Sequence, residues 1–353
     1  MGLGVLGTFL LPALARETSP PEAASIVHNS AVPMDLPPVI SYKPDFSDHE
    51  AVKRYFGRTL TALRAYEFPG LHSPVPGDWR SGPGKNELHQ SFAAYRRSRP
   101  ATEDGKRRVL VLRPVGGCPN HMRPVFRRLE QFLTAYFDRP TRWGRALPFP
   151  RQGLRMVVSS YGAHAQFPIL PSLRLLMHAV PQDALAVLGV TCTDLYQKTG
   201  NRYLFGYGTL HHRAGICSVA RMYPVLQAKA DSVSRSIGLL RSFKLIAHET
   251  GHMLGLHHCA SSQCLMNGIN SLGEVDGQPL HLCPVCLSKL AHHLRLDIRR
   301  RYRRLGTLLD RLGQPIQAGW YRRQYLRLVS QKPGDAASDT PGKPADPDDE
   351  DKF

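Results

Sequence analysis

The chain has 353 residues, 42% of them hydrophobic, enough for one substantial core with a small subdomain beside it. Its formal charge is +18; residues 331–353 hold seven acidic residues and three lysines, leaving 43 basic against 21 acidic before them, a net +22. Such a surface attracts acidic partners, nucleic acid included, without deciding fold or chemistry, and the absence of a long apolar window argues against a bilayer-spanning helix.

Residues 1–45 are rich in Pro, Ser and Ala and are expected to form a flexible lead-in. Val5 to Leu14 is apolar, and Ala13-Leu14-Ala15 resembles a signal-peptidase site, but no Lys or Arg precedes the run and Pro12 interrupts its end. Leu6 occupies the place where myristoylation favours Ser or Thr. His49 to Tyr66 is a candidate short helix, and 69–105 is broken by Pro69, Pro74, Pro76, Pro83 and Pro100. Val109-Leu110-Val111-Leu112 reads as a buried strand ended by Gly116-Gly117. Val125, Leu129, Phe132, Leu133 and Tyr136 then fall on one face of a helix. Leu173 to Val180 is another helix. Ala184 to Val190 is a second apolar strand, with further strand candidates at Tyr203 to Tyr207 and Ile216 to Ala220. The last of these, extended to Arg221, is a candidate cleft edge where a peptide can add by backbone pairing, or a plain sheet edge. Long helices are expected over about Asp231 to Leu254 and Pro284 to Leu312, and a disordered acidic tail over 331–353. Strands alternating with helices predict an α/β fold in a single domain over 46–330, with its core at about 105–312.

Residues 248–258 read His-Glu-Thr-Gly-His-Met-Leu-Gly-Leu-His-His, the pattern HExxHxxGxxH. His248 and His252, four apart on a helix, project from nearly the same side and can share one ion. Glu249, about 100° round from His248, stands near that ion, free to hold a water as general base. Gly255 suits the left-handed turn that ends a helix, after which His258 returns as a third nitrogen. Three His ligands leave a fourth position for water, the condition for a catalytic zinc site. Phe243, Ile246, Ala247, Thr250, Met253 and Leu254 form the opposite, core-facing side. A rival site joins two His to the downstream carboxylate of Glu274 but leaves Gly255 and His258 unexplained. His257 is out of register for ligation and suits an outer or surface position.

The seven cysteines are unevenly spread. Cys118, Cys192 and Cys217 stand alone, while Cys259, Cys264, Cys283 and Cys286 crowd into one region that includes a C-x-x-C pair. Crowding of this kind favours thiolate ligation of a second, structural zinc over disulfides or redox activity, and points to a reducing compartment. The expected location is therefore cytoplasmic or nuclear, with secretion through the weak N-terminal signal as the alternative.

His248, Glu249, His252, Gly255, His258, Cys259, Cys264, Met266, Cys283 and Cys286, in that order, resemble the archaemetzincin family of zinc metallopeptidases, in its longer, eukaryotic-type branch. Softer likenesses lie in Leu71-His72-Ser73-Pro74 with Asp78-Trp79, and in Gly189-Val190-Thr191 with Asp194-Leu195-Tyr196. The resemblance covers roughly residues 70–300. It implies a metzincin-like α/β (α+β) core with a mixed sheet, an active-site helix and a Met-turn at Met266. It also implies a C-terminal subdomain stapled by zinc on four cysteines, two zinc ions per chain, and hydrolysis of peptide bonds; the expected partner is a peptide or protein substrate, and the chain is expected to be a monomer. The expected reaction uses a zinc-held water activated by Glu249. The alternative is a non-catalytic zinc-stapled module that binds nucleic acid or another polyanion through its basic surface. The run Arg299 to Arg304 invites that alternative, yet Leu287, Leu290, Leu294, Ile298, Leu305, Leu309 and Leu312 make an apolar stripe on the same predicted helix, so the arginines read mostly as its solvated side.

Overall fold

The computed structural model describes residues 45–330 except 59, 61–62, 64–67, 72–74, 77, 99, 101–105, 150–154, 160–161, 198–202 and 223–230. The expected lead-in, the acidic tail and the His72-Ser73-Pro74 likeness lie outside these residues. A five-stranded mixed sheet organises the described chain. Its strands are β1 (Val109–Pro114), β2 (Thr141–Trp143), β5 (Ala184–Thr191), β7 (Gly206–Gly208) and β8 (Ala214–Ser218), in the order β2-β1-β5-β8-β7. Neighbours run parallel except β7, which is antiparallel to β8. Every residue of the central β5 is buried, which accounts for its unbroken apolar run.

Alternation along the strands sends side chains to two faces. Leu110, Leu112, Leu188 and Cys217 meet helices α3 (Arg123–Phe137) and α5 (Ser232–Met253) through Leu129, Phe132, Phe243 and Ile246. Val111, Val187 and Ile216 meet α4 (Ile169–His178) through Ile169, Leu173 and Leu176. A second sheet, β3 (Arg155–Ser159), β4 (Gly162–Pro168) and β6 (Asp194–Tyr196), pairs in the order β3-β4-β6. Helices α1 (Phe46–Phe56), α2 (Phe92–Arg97), α6 (Leu272–Gly277), α7 (Pro284–Leu294), α8 (Ile298–Arg311) and α9 (Pro315–Val329) complete the described α-helices.

Several expectations are corrected. The segment around Ile216 is not an edge: β8 is covered by β5 and β7, and the edge beside the cleft is β7. The single helix expected from Pro284 to Leu312 is two. Arg295 turns left-handed at φ 50°, and the Asp297 side chain caps α8 by accepting from Arg300 N at 3.0 Å. The leucine stripe hides this break because each half keeps helical spacing. Within the arginine run, Arg301 is 1% exposed, donating from Nε to Tyr136 O at 2.7 Å with its guanidinium 4.3 Å from the Tyr136 ring. Arg300 and Arg304 both bind the carboxylate of Asp138 at the end of α3. Cys118 and Cys192 form a disulfide with Cα atoms 5.3 Å apart. It joins the segments that follow the neighbouring strands β1 and β5, so two of the three isolated cysteines are paired, and cysteine usage no longer argues for a reducing compartment. No described helix is long and apolar enough to cross a membrane.

Candidate metal centre

Helix α5 opens with Asp231, whose side chain accepts from Ser234 N at 2.7 Å, and runs 22 residues to Met253. It is buried on every side from Ser242 onward, His248, Glu249 and His252 included. Gly255 then takes φ 85°, as its place in the motif predicts, and a Cβ there would lie 2.5 Å from Pro100 Cβ. The left-handed turn brings His258 back beside the helix. The three imidazoles, with Glu249, line a cleft of about 880 Å³ whose walls include Trp79, Glu87 and β7.

The ring nitrogens have distinct partners. His248 Nδ1 lies 2.8 Å from Leu265 O, and His252 Nδ1 lies 2.7 Å from Leu256 O. Each Nδ1 therefore carries the proton and donates it to a carbonyl, which leaves Nε2 as a bare acceptor. Burial, with His258 adding to it, pushes His248 down to about 3, and burial and the neighbouring imidazoles hold His252 well below the usual range, so both rings are neutral. The two Nε2 atoms face one another at 3.1 Å. Two lone pairs in that position repel unless a cation lies between them, and tetrahedral zinc with bonds of about 2.0–2.1 Å separates its nitrogens by roughly 3.3 Å. His258 completes a set whose candidate ligand atoms all lie within 4.8 Å of one another. The donor set fits zinc.

Glu249 sits under β7. A Cβ on Gly206 would fall 2.5 Å from Glu249 Oε1, and one on Gly208 would fall 2.3 Å from Glu249 O. Only glycine lets the strand pass this close. Burial pushes the Glu249 carboxyl up to about 8, against a hydrogen bond from the Gly208 backbone; a divalent cation alongside acts in the opposite direction, towards the carboxylate. Gly206→Ala is expected to displace the carboxylate while sparing the histidines. Peptide hydrolysis should fall by roughly 10²-fold, the effect of an ångström-scale misplacement, at unchanged metal content, and kinetics alongside metal analysis checks both.

Cys259, Cys264, Cys283 and Cys286 also converge, with Sγ atoms within 4.8 Å of one another and all four residues buried. The amides of Met266 and Cys283 donate to Cys264 Sγ at 3.4 and 3.2 Å. Hydrogen bonds from the other three cysteines draw Cys259 well below the ordinary thiol range, while burial raises Cys264. Four buried cysteine sulfurs gathered in this way suit a closed tetrahedral zinc. Met266 lies beneath α5: a Cβ on Gly251 would meet its Sδ at 2.6 Å, and its carbonyl accepts from Cys259 N at 2.7 Å.

The rival carboxylate is elsewhere. Glu274 accepts from Trp79 N at 2.6 Å and Asn270 N at 2.7 Å, and belongs to neither cluster. His257 is exposed at the cleft, its amide bonded to Gln90 Oε1 at 3.3 Å. Sequence reading missed Glu87, whose two carboxylate oxygens lie 2.9 Å from His258 Nδ1 across 171 positions. Spacing carries no trace of so distant a contact. It also missed the paired glycines of β7, for which Gly-Tyr-Gly in a strand was the available signal.

A family model described as Peptidase family M54 matches residues 154–292. Archaemetzincin-2 of Homo sapiens is 30% identical over 270 residues, covering 68% of this chain and 73% of the relative. Archaemetzincin-2 of Rattus norvegicus is 34% identical over 270 residues, covering 68% and 74%. Among solved structures, archaemetzincin from Methanopyrus kandleri is 26% identical with a TM-score of 0.43, covering 55% of this chain and 99% of that one. The His-Glu helix beneath a mixed sheet is that of a zinc metallopeptidase. The chain belongs to the archaemetzincin family, Peptidase family M54.

Proposed function

We propose that the chain hydrolyses peptide bonds with Glu249 as general base and proton shuttle, at a catalytic zinc site formed by His248, His252 and His258. The convergence of His248 and His252 through Nε2 with the His258 ring beside them, next to the buried Glu249 carboxylate, carries this proposal. Zinc bound there supplies Lewis acidity, polarising the scissile carbonyl and acidifying water. Glu249 accepts the proton of the attacking water and later returns it to the leaving amine. The floor of β7 keeps the Glu249 carboxylate in place, because the strand passes directly over it. Leu265 O and Leu256 O hold the tautomers of His248 and His252, so neither ring competes for the water proton. Met266 supports the helix as a Met-turn, in keeping with a metzincin-like arrangement, and the four cysteines hold a second, structural zinc. The substrate is a peptide or protein segment in the cleft.

Purified protein is expected to carry two zinc ions per chain. A chelator should remove one together with activity, and re-addition should restore both, while the thiolate-bound ion remains until unfolding because four sulfurs enclose it. Metal analysis combined with peptide-library cleavage checks this. One zinc at full occupancy, unaffected by His258→Ala, overturns it. The arginine run lends the polyanion-binding alternative no support, since Arg301 is buried and Arg300 and Arg304 are engaged by Asp138.

A further inference from the structure

The segment Glu87-Leu88-His89-Gln90, between a 3-10 turn at Trp79–Ser81 and α2, precedes the residues matched by the family model. Three of its four side chains touch the metal region. Glu87 holds His258 Nδ1 with both oxygens at 2.9 Å. His89 pairs with the buried Asp48 carboxylate at 3.3 Å and lies within electrostatic reach of Cys259. Gln90 donates to Gly255 O at 3.0 Å and accepts from His257 N at 3.3 Å, gripping both ends of the turn between His252 and His258.

Glu87 is itself held. Trp79 Nε1 donates to its Oε2 at 3.1 Å, and the Trp79 ring meets His258 edge-on at 4.9 Å. That ring lies against Gly84 and Gly268, where a Cβ would come within 1.9 and 2.2 Å of Trp79 Nε1. The three imidazoles thus differ in a chemically meaningful way. His248 and His252 stand on a rigid helix with backbone carbonyls at Nδ1, whereas His258 stands on a loop, is 21% exposed, and has a side-chain carboxylate there.

We infer that Glu87 is a positioning residue for the catalytic zinc site: it fixes the Nδ1–H tautomer and ring orientation of His258, so that a segment far upstream in the chain completes the third ligand. The inference rests on the histidine site proposed above. A carboxylate at Nδ1 also raises the donor strength of Nε2 more than a neutral carbonyl does, and loss of such a partner typically weakens metal affinity by about 10–100-fold. Leu88, 87% exposed at the rim, leaves this contact unaided by packing on that side.

The test uses the full chain with its thiolate-bound zinc retained, and reads the affinity of the removable site by chelator competition with zinc, alongside the absorption spectrum of that site loaded with cobalt. Glu87→Ala should weaken affinity by about 10–100-fold and perturb the spectrum, with the melting temperature of the chelator-treated protein close to parental. Glu87→Gln, which keeps the shape and one acceptor, should recover part of the affinity and guards against misfolding of the alanine variant. Parental affinity and spectrum in either folded variant overturn the assignment. A lowered melting temperature with unchanged affinity reduces Glu87 to a packing role and overturns it equally. If the parent binds no metal removable by chelator, the histidine-site proposal itself falls, and that outcome is distinguishable because it needs no variant.

Discussion

Glu249→Gln is expected to lower peptide hydrolysis by roughly 10²–10⁴-fold, the usual share of general acid–base catalysis, while both zinc ions and the melting temperature are retained. The side chain is buried against Gly206, so an amide of the same shape fills the same space. Burial already disfavours the Glu249 charge, pushing its carboxyl up to about 8. Replacing it with a neutral amide therefore removes a desolvation penalty rather than a stabilising pair. Single-turnover kinetics at matched zinc occupancy is the measurement. Parental activity in this variant rejects the mechanism whatever the substrate.

Cys286→Ser is expected to release the second zinc and destabilise the fold. Cys259 directly follows His258, Cys264 lies two residues before Met266, and Cys283 caps α7 by accepting from Cys286 N at 3.5 Å. One ion at these sulfurs would tie the third histidine, the turn beneath α5 and the start of α7 together. Apparent binding energies of structural zinc reach about 10–16 kcal/mol in small zinc domains, so loss of one thiolate should lower the melting temperature clearly. His258 should loosen as well, weakening the catalytic site by about 10–100-fold, as for other outer partners of a ligand. Calorimetry with metal analysis checks both effects. Two zinc ions at the parental melting temperature would leave the catalytic assignment resting on the histidine motif alone.

The two halves of the metal region were legible to different degrees. His248, Glu249 and His252 lie within little more than one turn of a single helix, and helical geometry alone puts them near one another. Gly255 and His258 follow because a glycine at φ 85° is a local event that sequence can announce. The cysteines crowd within 28 positions, so their convergence was also within reach of spacing. Apolar runs likewise located β1, β5 and α3, whose periodicity answers to burial on one or both faces.

What the sequence determined by itself was therefore the local chemistry: the helix with its ligand candidates, the turn after it, the thiolate cluster, and the alternation of strands and helices that makes an α/β core. Only the tertiary structure decided which strand forms the edge over Glu249, that Cys118 meets Cys192, that Arg301 turns inward among tyrosines, and that Glu87 reaches His258. The last three contacts join residues 74 to 171 positions apart. Side-chain spacing reports on one element at a time, because its period comes from backbone geometry within that element. Contacts between elements depend on how several of them share one core, and no period in the chain encodes them. The break at Arg295 belongs with these: a left-handed non-glycine residue is locally unfavourable, and packing of α7 and α8 against the rest of the core is what sustains it.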